Sequence, residues 1–267
     1  MKTLRVAALT VASLIAALSL AGSVMPHCDY HQQDREQVSV GPTPAHWLGT
    51  DALGRDRLAR LLHGARVSLS LAPAAALVCL MLAFVMGAVP GFAGGRAEHM
   101  ARGIIDLMLS VPWLFLLLMV RALLPLNTSP AISAAITFLM LGLLGWGVPA
   151  RILLARSHNL RTSEFVLMAR AAGVSKQRLL CVHVMPNLWP VLLTQFWIAV
   201  PVFILAEANL SLLGLGVAEP LPSLGSLLRE MESALSLRGD VGSFAALGLL
   251  FVLISSLQIA FPQREGY

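Results

Sequence analysis

The residues of this sequence that could do chemistry are scattered histidines, single charges inside apolar segments, and one polar stretch between two such segments. The sequence contains no G-x-x-x-x-G-K-[ST] phosphate-binding loop, no H-E-x-x-H and no G-x-S-x-G. Five of the seven histidines are scattered without metal-ligand spacing. They are His46, His63, His99, His158 and His183. We therefore predict that this chain is not an enzyme, holds no metal and has no cofactor of its own.

Two charges inside apolar segments are candidate functional residues. Glu207 lies within the apolar segment 188–213. An ionisable group inside a membrane segment is a functional candidate, because burying its charge in lipid is costly. Glu207 could line or gate a path, but Asn209 and Ser211 are close enough in sequence for a hydrogen-bonded structural role to be an equal alternative. Arg121 leaves the same two interpretations open.

The polar stretch 161–187, RTSEFVLMARAAGVSKQRLLCVHVMPN, lies between two long apolar segments and carries most of the clustered positive charge. A patterned polar segment in this position is typical of the place where a membrane protein meets a soluble partner. The alternative is a structured loop that packs only on its own helices.

The pattern within this stretch predicts two short helices joined by a turn. Thr162 or Ser163 can cap a helix that starts near Glu164, and Gly173 is expected to end it. Ser175 can cap a second helix, which Pro186 is expected to stop before the next span. Small residues would form a docking face with a basic rim. The set comprises Ala169, Ala171 and Ala172, with Arg170, Lys176 and Arg178 at the rim.

The composition indicates that a bilayer surrounds much of the chain. Of its 267 residues, 57% are hydrophobic and 12% are charged, whereas an ordinary soluble domain has about 25% charged residues. The net charge of +5 does not indicate nucleic-acid binding, because no basic, aromatic-interleaved soluble region is present. The three cysteines form neither a disulfide framework nor a metal motif.

Six apolar segments are long enough to cross a bilayer of about 30 Å, so the predicted fold class is an all-α, polytopic membrane protein. The segments are 6–25, 67–91, 104–124, 131–154, 188–213 and 241–261. Pro112 is expected to kink the third segment. The first segment alone also fits a cleaved signal peptide, but the spans that follow favour an uncleaved helix.

The long polar segment 26–66 is predicted to contain a short helix capped by Thr50 or Asp51. An apolar face, with Arg55, Asp56 and Arg60 pointing away from it, predicts that this helix lies in the membrane interface. Its apolar residues are Leu58, Leu61, Leu62 and Ala65. The alternative is a plain solvated connector.

The loop charges favour a cytoplasmic N-terminus, because eleven of the nineteen basic residues then lie inside. These are Lys2, Arg5, Arg96, Arg102, Arg151, Arg156, Arg161, Arg170, Lys176, Arg178 and Arg264. The five arginines of segment 26–66 oppose this bias, but five acidic residues accompany them. The opposite orientation would export the densest basic segment.

Three stretches in order resemble one family. LMARAAG at 167–173 followed by HVMPN at 183–187 resembles the cytoplasmic "EAA" loop of ABC-importer permeases. HWLGTDALGRDRLARLLHGARVSL at 46–69 and AEANLSLLGLGVAEPLPSLGSLL at 206–228 are similar to segments of the peptide/nickel permease family, specifically its second permease subunit. The chain departs from the family pattern at Met168 and Met185, and at Leu224, where an aromatic residue is usual.

The resemblance implies a type I ABC-importer permease fold of about six membrane helices in the bacterial inner membrane. It implies a heterodimer with a homologous second permease, two cytosolic ATPase subunits that bind ATP, and an extracytoplasmic substrate-binding protein, with lipid around the spans and no nucleic acid. It also assigns the ATPase-coupling role to a set of residues in 161–187. These are Glu164, Ala169, Arg170, Ala171, Gly173, Pro186 and Asn187.

The expected organisation is an N-terminal anchor and extracytoplasmic loop over 1–66, followed by the permease domain over 67–267. The predicted function is a permease subunit that forms a path for peptides or related small solutes. Two alternatives are a secondary transporter, for which no repeat pairs the first three spans with the last three, and a membrane scaffold or receptor whose 161–187 loop binds a signalling protein.

Overall fold

The computed structural model describes residues 2–22, 29–122, 129–235 and 244–260. Regular structure in these ranges is helical, apart from an isolated β-bridge between Thr50 and Asp56. The predicted ends of the first, third and sixth apolar segments, Cys28 and Arg264 lie outside the described residues. The helices are α1 (Lys2–Gly22), α2 (Arg57–Ala83), α3 (Val89–Ala93), α4 (Gly95–Ser110), α5 (Trp113–Ala122), α6 (Pro130–Leu144), α7 (Gly147–Arg161), α8 (Glu164–Ala171), α9 (Lys176–Arg178), α10 (Met185–Leu212), α11 (Leu224–Leu235) and α12 (Ala245–Ala260).

Among the described residues, three continuous helical stretches are long and apolar enough to cross a membrane: Arg57–Ala93, Pro130–Arg161 and Lys176–Leu212. Helices α4 and α5 add a fourth candidate if they form one span, since they meet at a bend of 72°. Within α1 and α12 lie the shorter apolar helices Val6–Ala21 and Ala245–Ala260. The six predicted apolar segments are therefore largely helical where the structure describes them, and the all-α polytopic fold class is confirmed.

The separate interfacial helix predicted within 26–66 is wrong. The helix that begins at Arg57 runs on through Pro73 to Ala93, with a π-helical turn at Phe84–Ala88. Its cap is Asp56, whose Oδ1 accepts a hydrogen bond from the backbone N–H of Ala59 at 3.0 Å. One proline removes only one N–H, and a continuous helix satisfies the remaining backbone groups within the segment.

The bend predicted at Pro112 is present, between α4 and α5. Helix α4 ends at Ser110, and Val111 is extended, with φ −95° and ψ 128°. The residue before a proline is pushed out of the α-helical region by the proline ring. The carbonyl of Pro112 then accepts hydrogen bonds from the N–H groups of Phe115 and Leu116, which start α5.

The chain forms two compact units, each discontinuous in sequence. One comprises Ala74–Val120 and Leu139–Val200. Its core joins the end of the first long helix to α4, α7, α8 and the start of α10. Glycine permits the closest approach: a Cβ atom on Gly91 would lie 2.6 Å from the carbonyl oxygen of Leu154. Ser157 Oγ, on the same face of α7, donates to the carbonyl of Ala88 at 2.7 Å.

The other unit comprises Met1–Pro73, Arg121–Phe138 and Pro201–Tyr267, and in it α1 packs along α12. Helix α11 lies between the fifth and sixth predicted apolar segments, where no helix was predicted. It begins with a reciprocal cap: the N–H of Ser226 donates to Ser223 Oγ at 3.0 Å, and the N–H of Ser223 donates to Ser226 Oγ at 2.8 Å. The start of α11 lies against α2, where Ser68 Oγ accepts from the N–H of Leu224 at 3.2 Å.

Candidate functional site

Helix α8 is the predicted first helix of the polar stretch, and it begins at Glu164 as expected. The predicted side-chain cap is absent. Ser163 Oγ donates instead to the carbonyl of Leu160 at 2.6 Å, and Thr162 Oγ1 donates to the carbonyl of Asn159 at 3.1 Å. The carbonyl of Ser163 begins the helix by accepting from the N–H of Leu167 at 3.0 Å. The backbone therefore starts α8, while the hydroxyl groups bond back to the last turn of α7.

The C-terminus of α8 has the predicted glycine turn. Gly173 adopts φ +81°, a left-handed conformation that costs glycine little. Its N–H donates to the carbonyl of Arg170 at 3.0 Å, and the N–H of Val174 donates to the carbonyl of Ala169 at 3.1 Å. This pair of bonds is the Schellman motif, which satisfies the last carbonyls of a helix.

The second helix starts as predicted but does not stop at Pro186. Ser175 Oγ accepts from the N–H of Arg178 at 3.4 Å, and the helix then continues without interruption to Leu212. A π-helical turn at Leu179–Val184 precedes the proline. This wider turn changes the hydrogen-bond register just where the proline lacks an N–H, so the helix passes through. Asn187 Nδ2 donates to the carbonyl of His183 at 2.7 Å on the same turn.

The face that α8 exposes differs from the predicted small-residue face. Val166 is fully buried and Ala169 packs half-buried against the core. Ala171 and Arg170 are exposed as predicted, but Met168 is 69% exposed and Phe165 and Leu167 are also exposed. The outer face therefore carries large apolar side chains, one of them a flexible methionine, beside the small Ala171.

The predicted coupling residues fall into two groups in the structure. Glu164, Ala169, Arg170 and Ala171 lie on α8, and Gly173 follows it. Pro186 and Asn187 are exposed on the first turn of α10. Helix α8 packs against the π-helical turn that leads into α10. The two groups therefore lie on elements joined through that turn.

Glu207, the first charge singled out from the sequence, is fully buried and saturated with donors. Its Oε1 accepts from Ser211 Oγ and from Ser223 Oγ, both at 2.7 Å. Its Oε2 accepts from the N–H of Gly225 at 3.3 Å. A Cβ atom on Gly225 would lie 2.8 Å from the same Oε2. This geometry favours the structural alternative, in which Glu207 and Ser211 hold the start of α11 in place.

Arg121 donates hydrogen bonds to the loop that joins α10 to α11. Its Nη2 donates to Ser133 Oγ at 2.7 Å and to the carbonyl of Gly216 at 3.2 Å, while Nε donates to the carbonyl of Leu215 at 3.0 Å. Its side chain is buried. A guanidinium that donates to two consecutive carbonyls fixes the backbone there, so the structural interpretation is again favoured.

The structure also reveals a charge cluster that the sequence did not predict, which we call the α2–α11 clamp. It comprises Asp51, Arg55, Arg60, Glu219 and Glu230. Arg60 was expected to point away from the apolar face, yet its side chain is fully buried. Its Nη2 lies 3.3 Å from Glu219 Oε1 and also pairs with Glu230. The acidic partners lie 159 and 170 residues away in sequence, so local periodicity could not indicate them.

Arg55 closes the clamp from the loop that precedes α2. Its Nε donates to Asp51 Oδ2 at 2.6 Å and its Nη1 donates to Glu219 Oε2 at 2.9 Å. Burial lowers the pKa of Arg55, but these bonds outweigh it, so that its pKa lies above the ordinary value. Burial raises the pKa of Glu230 to about 7, although Arg60 opposes the shift. Three carboxylates face two guanidinium groups, so the last carboxylate to ionise does so at an energetic cost.

Comparison with known proteins identifies the family. Residues 67–261 match the family described as binding-protein-dependent transport system inner membrane component. The chain is 32% identical over 228 residues to the oligopeptide transport system permease protein OppC of Bacillus subtilis, covering 85% of this chain and 73% of that protein.

Two further relatives match over more of the chain. The oligopeptide transport system permease protein OppC of Mycobacterium tuberculosis is 32% identical over 250 residues, which is 91% of this chain and 84% of the relative. The glutathione transport system permease protein GsiD of Pectobacterium atrosepticum is 29% identical over 251 residues, which is 93% of this chain and 81% of the relative. The chain belongs to the family of binding-protein-dependent inner membrane components, as a membrane-spanning permease subunit of an ABC importer that works with ATPases and a substrate-binding protein.

Proposed function

We propose that this chain transports peptides or related small solutes and that α8 is the surface on which an ATPase subunit docks. The observation that carries the coupling role is the geometry of α8. It is a short, glycine-terminated helix between two long apolar stretches, with Met168 69% exposed and Val166 fully buried. A helix that presents an apolar face and is fixed underneath can enter a groove on a partner.

The proposed mechanism is a two-state rocking driven by the partner. ATP binding in the ATPase subunits closes them and displaces α8. Because α8 packs on the last turn of α7 and on the π-helical turn before α10, the displacement tilts those helices. The pathway then changes the side of the membrane to which it opens. The ATP is bound by the partner subunits, so this chain supplies no cofactor site.

The assembly we propose is a heterodimer of this chain with a homologous permease, two cytosolic ATPases and an extracytoplasmic binding protein. The N-terminus is cytoplasmic, which puts α8 on the ATPase side. Residues 1–66 act as the anchor and extracytoplasmic loop, and 67–267 as the permease domain. The peptide substrate is supported by the names of the relatives, which transport oligopeptides and glutathione.

The first prediction tests the docking role with Arg170→Glu and Gly173→Glu. Both place a carboxylate on or beside the exposed face of α8. We expect ATPase subunits to co-purify poorly with either variant, and uptake of a radiolabelled pool of short peptides to fall about tenfold or more, a typical magnitude for losing a charge-complementary contact.

Arg96→Glu is the matched control. It reverses the same charge at an exposed position on a different helix, in the first turn of α4. It should leave both ATPase association and uptake unchanged. Normal ATPase association and normal uptake in Arg170→Glu and Gly173→Glu, at normal expression, would refute the docking role.

A further inference from the structure

Glu98, in the first turn of α4, is a buried carboxylate that takes no part in the proposed docking surface on α8. Its side chain is 7% exposed, and a carboxylate is costly to bury without partners. Arg102 Nη2 donates to Oε1 at 2.8 Å, and His158 Nδ1 lies 2.9 Å from the same oxygen. Arg161 Nη1 lies 3.5 Å from Oε2. We call these four residues the Glu98 cluster.

The Glu98 cluster joins the end of one helix to the beginning of another. Arg161 lies with His158 in the last turn of α7, where the unpaired helical carbonyls favour the positive charge of the arginine. Glu98 occupies the first turn of α4, where an anion is favoured by the unpaired N–H groups. The cluster therefore complements both helix ends and attaches them to each other.

The backbone before α4 leaves room for this contact. Gly94 has φ +73°, and a Cβ atom at this position would overlap Nη1 of Arg161. A side chain here would be strained by the backbone conformation and would displace the guanidinium from Glu98. The glycine turn between α3 and α4 is thus matched to the position of Arg161.

Helix α8 is attached to the same end of α7. Only Thr162 and Ser163 separate Arg161 from the first residue of α8. Ser163 Oγ donates to the carbonyl of Leu160 at 2.6 Å, and Val166 is fully buried in the core that contains Leu160. A displacement of α8 therefore reaches the last turn of α7, and the Glu98 cluster connects that turn to α4.

We propose that Glu98 is a positioning residue for coupling, which clamps the end of α7 to the start of α4 so that α4 follows α8 when an ATPase moves it. This inference rests on the proposed docking role of α8. It adds a route by which the motion reaches α4. Without the Glu98 cluster, α8 and α7 would move but α4 would not move with them, and less peptide would be transported for each ATP hydrolysed.

The test uses Glu98→Gln in the complete transporter, reconstituted in liposomes with its ATPase and binding-protein subunits. Glutamine keeps the shape of the side chain but removes the charge that holds Arg102, His158 and Arg161. We expect the ATPase subunits to remain bound, because the α8 surface is untouched. The amount of a radiolabelled short-peptide pool transported per ATP hydrolysed should fall about fivefold or more, as for the loss of a coupling interaction. Glu98→Asp should restore part of this ratio.

Asp106→Asn is the matched control, because Asp106 pairs with Arg151 across the same two helices. The two side chains of that pair are 54% and 58% exposed, so neither charge is buried in the protein core as Glu98 is. The control should keep the wild-type ratio of transport to ATP hydrolysis. His158→Gln is the milder second variant, since it leaves both arginines on Glu98, and it should lower the ratio by a smaller factor.

An unchanged ratio in both Glu98→Gln and His158→Gln would overturn the inference and leave the docking role of α8 intact. Failure of Glu98→Gln to assemble, together with an unchanged ratio in His158→Gln, would show a purely structural role and would also overturn it. Normal ATPase binding and uptake in Arg170→Glu and Gly173→Glu would instead refute the docking role, and this inference with it.

Discussion

Gly173 forms the turn that ends α8. It holds φ +81°, and a Cβ atom there would meet no atom within 4 Å. Gly173→Ala should therefore destabilise the protein through the backbone alone, by about 1–2 kcal/mol, the cost of a left-handed conformation. Thermal unfolding of the purified protein in detergent measures this change.

Gly103→Ala is the control for Gly173→Ala. Gly103 lies inside α4, where an added Cβ atom would likewise meet nothing within 4 Å. Alanine in a helix interior is favoured over glycine by about 0.5–1 kcal/mol, so this variant should be more stable. Equal effects of the two substitutions would contradict the assignment of a strained backbone to Gly173.

Local sequence signals predicted the residues whose roles are local. Gly173 and Ser175 were identified from turn and capping chemistry, and both act as expected. The prediction that Pro186 stops the helix was wrong. The effect of a proline depends on the hydrogen bonds of the preceding turn, which here is π-helical. The burial of Arg60 could not be predicted, since its partners Glu219 and Glu230 come from distant parts of the sequence.

At the scale of elements, the α2–α11 clamp makes the attachment of two helices sensitive to pH. The pKa of Glu230 is raised to about 7, so the folded protein binds a proton that the unfolded chain releases at lower pH. Stability gained from this proton is present in full below the ordinary pKa of a glutamate, about 4.3, and is lost as the pH rises through about 7. We expect the melting temperature to fall across this pH range.

Glu230→Gln should remove this part of the pH dependence, because glutamine is neutral throughout. Glu232→Gln removes an exposed carboxylate from the same helix and should keep the wild-type profile. Melting temperatures of the three proteins between pH 4.5 and pH 7.5, in one detergent and at one salt concentration, measure the difference. A Glu230→Gln profile parallel to that of the wild type would contradict the role of Glu230.

The helices inside apolar segments could be predicted, because backbone N–H and C=O groups in lipid must form hydrogen bonds within their own segment. The bend at Pro112 could be predicted because a proline disfavours the helical conformation of the residue before it. The start of α2 and the existence of α11 were missed, because neither is signalled by hydrophobic length. Each depends on a cap, Asp56 for α2 and the Ser223–Ser226 pair for α11, and on the buried charges that join them.

In the whole protein, two exposed side chains are expected on opposite sides of the membrane. Met168 on α8 is 69% exposed and Trp47, in the loop before α2, is 71% exposed. The proposed orientation puts Met168 beside the ATPases and Trp47 on the side of the binding protein. This assignment links the docking surface, the cytoplasmic N-terminus and the direction of transport.

Site-specific photo-crosslinking at these two positions tests whether an ATPase subunit docks on α8. A photoreactive amino acid replaces Met168 or Trp47 in the assembled transporter, and the crosslinked subunit is identified by mass spectrometry. We expect position 168 to capture an ATPase subunit and position 47 to capture none. Capture of an ATPase subunit at position 47, or its absence at position 168 in a complex that retains the ATPases, would contradict it.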